Sequence, residues 1–406
     1  MSSNPLHSIP LQLLGSRLQA ARKASGLTQQ EAADYLGVAR TTVTAIEKGD
    51  RRIQPLELAR LAEKYGRSAS DFLRRPTVGS PFSVQLRALL VPHASVDERL
   101  VGLIDQFEQL CEDFLELERL TDAPISRRYP EPYEFGGIQA ERAADDAATT
   151  ERNRLGLGDG PVLNLRAVLE NDVGLRIFYI DLPSRVAAMF GFTDELGGCI
   201  AINRNHPVER RRLSSAHEYG HFVSRRGRGE ITVLGKYQRV PEHERFADAF
   251  SYAFLMPASG LNRRFHEIVR SRGGKPTVAD LCQLAHLYYV SVEAMTRRLE
   301  SLRLVGAGTW DRLQLGGFRV REAQQMLGLP TLPTDDNMLP ARYRYLAAEA
   351  FQRGALSEGQ LARFLRTDRL SARQMVLGLA SRAEVDADGD IGTLQLDLGL
   401  ALDERS

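Results

Sequence analysis

The sequence has little that would tie it to a membrane or to an oxidising compartment. Its 406 residues contain three cysteines, Cys111, Cys199 and Cys282, odd in number and far apart. Such usage argues against a disulfide framework and fits a reducing compartment. No run of 18 apolar residues exists, so no segment reads as a membrane span. The opening stretch MSSNPLHSIP lacks the apolar core behind positive charge that a secretory signal carries. An excess of one charge is missing too. The chain has 53 Lys and Arg against 52 Asp and Glu, so any nucleic-acid surface must be local rather than global. A cytoplasmic protein with no membrane partner is the expectation.

What is present is enough chain for roughly two to four cores. The Pro/Gly/Ser stretch from Pro76 to Pro81 and the Pro/Tyr-rich stretch from Ala123 to Gly137 punctuate it. Four regions follow: 1–76, short punctuated helices; 77–137, a linker and one long helix; 138–305, helices mixed with strands; 306–406, mostly helical with an acidic tail. In the long helix, Leu100, Leu103, Phe107, Leu110, Phe114 and Leu117 recur at spacings of three and four. That pattern suits either a coiled-coil seam joining two copies or a core helix docked on the next domain. Leu175–Ile180 and Gly198–Ile202 read as strands, giving an α+β third region. Ala341–Arg353, a helix opened by Ser357 and another opened by Ser371 read as a second, smaller helix-turn-helix-like unit, and Thr393–Leu398 as an edge strand or tail.

The N-terminal region carries a specific local pattern. Thr28 followed three residues later by Glu31 is a capping box, so a helix begins at Gln29 and stops at Gly37. A second helix runs from about Ala39 to Lys48 and stops at Gly49. Ala33, Leu36, Val38, Val43 and Ile46 join the pair, which leaves Arg40, Thr41, Thr42 and Thr44 outward, as in a helix offered to the DNA major groove. Residues 1–76 hold 12 Lys/Arg against 7 Asp/Glu, a local net of +5. Over residues 12–73 the Leu27-Thr28-Gln29 opening, Gly37, Val43 and the Ile46-Glu47-Lys48-Gly49 ending resemble the Cro/C1-type (XRE) helix-turn-helix. The resemblance implies that Gln29 and Lys48 meet phosphates and that Arg40, Thr41 and Thr44 face base edges of a double-stranded operator, read by a homodimer.

The third region contains His217-Glu218-Tyr219-Gly220-His221. One helical turn separates the two histidines, so both imidazoles can reach one Zn2+, with Glu218 beside them as general base toward water. A catalytic zinc also needs a third protein ligand. Glu244 and Asp248, four apart on an apolar helix ended by Pro257, supply one. Glu244 is assigned as the ligand, Asp248 as acceptor of an N–H from His217; His243 competes for the third place but points about 100° away on a helix. Cys199 lies in the strand before the zinc helix. It is either a small buried residue or a thiolate that occupies the open zinc position and keeps the enzyme latent.

Ala216-His-Glu-Tyr-Gly-His221 together with Glu244-x-x-Ala-Asp-x-Phe250 and Leu255-Met-Pro257 resembles the ImmA/IrrE metallopeptidases over residues 139–300. The resemblance implies a zincin-like α+β domain that cleaves helix-turn-helix repressors. The expectation is therefore a multidomain protein: an all-α helix-turn-helix domain, a zinc metallopeptidase domain and a helical C-terminal region. It would act as a repressor whose endopeptidase cuts its own chain or a partner repressor under stress, with single-stranded DNA or a small molecule as effector. The alternative is a ligand-sensing transcription factor whose peptidase-like domain is silent.

Overall fold

The computed structural model describes residues 11–65, 69, 72, 81–88, 98–134, 138–233, 240–332, 337–385 and 391–395. The expected linker residues Pro76–Ser80, and Leu396–Leu398 of the expected last strand, lie outside them. The chain divides into two compact units, residues 1–80 and 81–406.

The first unit is helical: α1 Leu11–Ala24, α2 Gln29–Leu36, α3 Arg40–Lys48 and α4 Pro55–Lys64. The Thr28–Glu31 capping box opens α2, and Gly37 closes it in the left-handed conformation at φ 72°. Leu14, Leu18, Ala33, Leu36, Val43, Ile46 and Leu61 form its core. Inside sits a buried ion pair, Arg22 Nε to Glu47 Oε1 at 2.6 Å and Arg22 Nη2 to Glu47 Oε2 at 3.0 Å, which ties α1 to α3.

The second unit is built on a four-stranded sheet. Its strands are β1 Arg176–Ile180, β2 Val186–Thr193, β3 Gly197–Asn203 and β4 Glu230–Val233, in the order β1-β3-β2-β4. β1 and β3 are parallel, and the other two pairs are antiparallel. β2 carried no sequence signal, because Ala187, Ala188 and Gly191 weaken strand propensity and its mostly buried run shows no alternation. One face of the sheet, through Ile177, Ile200 and Ile202, packs on α7 Ala140–Arg154, α8 Val208–Arg225 and α9 Glu242–Leu255. The same core takes in α10 Ala258–Ser271, α11 Val278–Leu287, α12 Val292–Ser301 and Trp310 of α13 Thr309–Leu315. Packing thus carries past the 305/306 boundary expected from sequence. A short α14, Val320–Met326, follows.

The opposite face, through Phe178, Ile180, Cys199 and Ala201, packs on α5 Pro81–Ala88 and α6 Glu98–Thr121. It also packs on α15 Ala341–Gln352, α16 Glu358–Phe364 and α17 Arg369–Ala380. A hairpin of β5 Ser381–Val385 and β6 Ile391–Gln395 follows. Asp368, not Ser371, opens α17, because its carboxylate accepts the Ser371 N–H at 2.9 Å.

The α6 seam is spent inside the chain, which removes it as a dimer contact. Leu100, Phe107, Leu110, Phe114 and Leu117 are buried within this layer. Phe107 and Phe114 meet Phe178 edge-on, with centroids 6.3 Å apart in both pairs, and Phe114 meets Tyr343 at 5.4 Å. A fully buried Arg176–Glu118 pair at 2.8 Å fastens β1 to the end of α6. Phe107→Ala should therefore cost about 3–5 kcal/mol. Urea unfolding at two protein concentrations should show the same loss at both; a loss that grows with dilution would mean that the seam joins two chains.

Candidate functional site

α8 begins behind Pro207 and is buried from Ser214 to Val223, so its motif lies inside the unit rather than on a solvated face. Two contacts hold it. On one side Gly220 backs onto α9: a Cβ there would lie 3.0 Å from Ala247 Cα and 3.3 Å from the Phe250 ring. On another, the Tyr219 hydroxyl donates to the Glu151 carboxylate on α7, which also accepts from Tyr133 at 3.0 Å and from Arg154 Nε at 2.9 Å. The ring of Tyr219 meets Phe250 and Phe254 edge-on at 5.6 and 5.5 Å.

This packing brings His217, His221 and Glu244 together. The two histidine Nε2 atoms are 3.0 Å apart. Glu244 Oε2 is 3.5 Å from His217 Nε2, and its Oε1 is 3.4 Å from His221 Nε2. Asp248 Oδ1 lies 2.9 Å from His217 Nδ1, which turns Nε2 of that ring toward the cluster. Glu218, fully buried, accepts from the Thr232 hydroxyl at 2.6 Å through Oε1. Its Oε2 has no hydrogen-bond partner among the described residues.

The electrostatics of this cluster call for a cation. Burial opposes a charged His217, yet hydrogen bonds to Asp248 and Glu244 carry its imidazole up to about 10. Burial opposes a charged Glu244, but His217 and His221 hold it well below the usual carboxylate range. Burial takes His221 down to about 4 and Glu218 up to about 7. A proton on His217 does what a bound metal ion would do, balancing carboxylates within a buried pocket. Two imidazoles and one carboxylate, with an orphaned carboxylate oxygen beside them, form a donor set that fits zinc with an open position.

His243 stands outside this triad, with its Nε2 3.6 Å from Glu244 Oε1. Cys199 is corrected: it cannot be the latent-state zinc ligand. Alternation along β3 sends Ile200 and Ile202 toward α8 and Cys199 to the other face, among Phe178, Ala201 and the seam of α6. There burial, and then the neighbouring Cys199 thiol, push the Cys111 thiol well above its ordinary value. Sequence reasoning missed Thr232, since nothing local to it signals that the edge strand will turn back past Glu218 of the helix just before it.

In the first unit Arg40, Thr41 and Lys48 are exposed along α3. Thr44 and Gln29 are half-buried: the Thr44 hydroxyl lies 3.2 Å from Gln29 Oε1, and Gln29 Nε2 donates to Glu47 at 2.8 Å. Glu47 thus links the outer face of the motif to its buried Arg22.

Residues 18–72 match the helix-turn-helix family model, and residues 170–300 match the peptidase family described as the IrrE N-terminal-like domain. No curated protein matches the chain. The chain joins a DNA-binding helix-turn-helix to an IrrE/ImmA-type domain of a family that is typically metal-dependent. None of its helices among the described residues is long and apolar enough to cross a membrane.

Because Gly220 has no room for a branched side chain, Gly220→Val should spread α8 from α9. The expected result is a loss of about 1–3 kcal/mol in stability together with weaker uptake of added divalent metal, read by calorimetry and metal analysis. Full metal content in this variant would show that the close approach does not hold the cluster.

Proposed function

We propose that this protein is a transcriptional repressor whose second unit is a zinc-dependent endopeptidase, cutting its own chain or a partner helix-turn-helix repressor in response to stress. The observation that carries the reading is the convergence of His217, His221 and Glu244 beside a buried Glu218 with one unpartnered oxygen. A purely structural metal site has no use for such a carboxylate. His217, His221 and Glu244 would hold the ion. Bound there, zinc would polarise the scissile carbonyl and acidify water.

The chain's own groups do the rest. Thr232 anchors Glu218 Oε1 and leaves Oε2 to take the proton of the attacking water and pass it to the leaving amine. Burial raises the proton affinity of Glu218 above that of an ordinary carboxylate, as suits a group that must hold a proton before returning it. Asp248 fixes the orientation of His217. β4 is an edge of the sheet and brings Thr232 to the site, so an extended substrate pairing on that edge would lie across the centre.

On DNA, α3 would enter the major groove with Arg40, Thr41 and Thr44 toward base edges and Lys48 and Gln29 toward phosphates. Reading two half-sites calls for a homodimer held by a surface other than the α6 seam. A second reading is a silent peptidase fold that senses a small molecule or single-stranded DNA, and its small-molecule form draws support from a mostly apolar cavity of about 130 Å3. Phe265, Leu284, Thr296, Leu299, Val305 and Leu313 are among its lining residues.

The deciding experiment incubates the purified protein with zinc and candidate effectors, single-stranded DNA among them, beside Glu218→Gln. That variant should keep its zinc and lose all cleavage, and Asp248→Ala should lose about 10- to 100-fold in metal affinity or activity. Loss of zinc from Glu218→Gln would make Glu218 a ligand. Behaviour like wild type in repression and in every cleavage assay would leave the sensor reading. For the DNA unit, Arg40→Ala should weaken operator binding by about 1–3 kcal/mol, and Lys48→Ala should weaken all sequences equally and shallow the salt dependence. Unchanged gel shifts in both would dismiss α3 as the reading helix.

A further inference from the structure

The first residue of β4 and the first turn of α9 place a second set of metal-binding groups against the first. Glu230, His243 and Glu244 each offer a ligand atom, all within 4.8 Å of one another. His243 Nε2 is 3.6 Å from Glu244 Oε1 and 3.9 Å from Glu230 Oε2. The corresponding distances around His217, His221 and Glu244 are 3.0 to 3.5 Å. Ligands about 2.1 Å from a tetrahedral ion stand roughly 3.4 Å from one another, so the two sides at His243 are a few tenths of an ångström wider than that, and the third lies within 4.8 Å.

The surroundings of Glu230 make the pattern more than a chance cluster. Its carboxylate is mostly shielded, with about a quarter of the side chain exposed, and no arginine or lysine of the described residues makes an ion pair with it. It faces another carboxylate, Glu244, across one imidazole. Two carboxylates sharing a site repel; His243 reaches both, and Arg225 attracts Glu230 without pairing with it. That ring is 28% exposed and so reachable from solvent. Its centroid lies 5.9 Å from that of His221, which makes the two sets neighbours.

We propose that Glu230, His243 and Glu244 form a second divalent-cation subsite, joined to the first through the shared Glu244 carboxylate, so that the centre takes two ions. One imidazole with two carboxylates suits zinc, cobalt or manganese better than calcium. Paired centres of this kind space their ions about 3.5–4 Å apart, a separation that one bridging carboxylate spans. The second ion would stand on the β4 side, at the sheet edge. The proposal rests on the reading of His217, His221 and Glu244 as the first site.

The test strips the full-length protein with chelator and titrates it with Co2+, following the d–d absorption and the metal bound per chain. Mn2+ resonance spectra report whether two ions are coupled. Wild type should bind two ions, the second more weakly, and show coupled Mn2+ at saturation. Glu230→Gln and His243→Ala should each keep the first ion and weaken the second by about tenfold or more, with apo melting like that of apo wild type. If His243→Ala fails to fold, Glu230→Gln carries the test. A wild type that saturates at one ion, or variants that still bind two with unchanged affinity, would overturn the proposal. His217→Ala separates the two readings: loss of the tight ion alone upholds the first site, whereas no change in either ion removes the first site and leaves the Glu230 result to be judged by itself.

Discussion

Everything at the centre depends on how closely α8 approaches α9. The histidines and Glu244 belong to different helices, and a carboxylate side chain reaches only a few ångströms. Gly220 sits between the two histidines and faces Ala247, with almost no space for a Cβ. Small residues at such a crossing let helix axes come nearer than the usual 8–10 Å. The second side of α8 is fixed just as firmly, because Tyr219 reaches through the core to Glu151. Held from both sides, the histidine pair has little freedom to turn away from Glu244.

The sheet separates chemistry from scaffolding. One face carries α8 and α9 and hence the cluster; the other carries α5, α6 and the C-terminal helices. α6 and α15–α17 cover the same layer, joined by Arg366 to Asp113 at 2.6 Å and by Arg353 to the Thr121 carbonyl at 3.0 Å. Regions that look like a linker helix and an appended tail in sequence therefore share one core with the central strands. Tyr343 of α15 meets Phe178 of β1 edge-on, with ring centroids 6.3 Å apart.

Buried charge marks both compact units, in different ways. Arg22–Glu47 and Arg176–Glu118 are charge-matched pairs, each with two hydrogen bonds between guanidinium and carboxylate. Such pairs fix orientation more than they add stability. The cluster at Glu218, Glu230 and Glu244 is unlike them, because among the described residues no guanidinium makes an ion pair with any of the three. It has the character of a site built around a cation.

Local backbone geometry made much of this legible in the amino-acid sequence. The His-Glu-x-x-His spacing, the i+4 relation of Glu244 to Asp248, the Thr28 capping box and the glycine stops all depend on neighbours within one or two helical turns. Helical pitch alone sets those relations, so they appear where the residues predict them. The sequence left open which partner α6 would choose, since one apolar stripe serves a second copy or a neighbouring sheet equally well. It left open the side of the sheet that Cys199 would face, because a period of two gives alternation but not which face meets the histidines. Thr232 and Glu230 reach the centre only because β4 pairs with β2 at the sheet edge. That pairing is set by strand register and layer packing across long stretches of chain, and only the tertiary structure decided it.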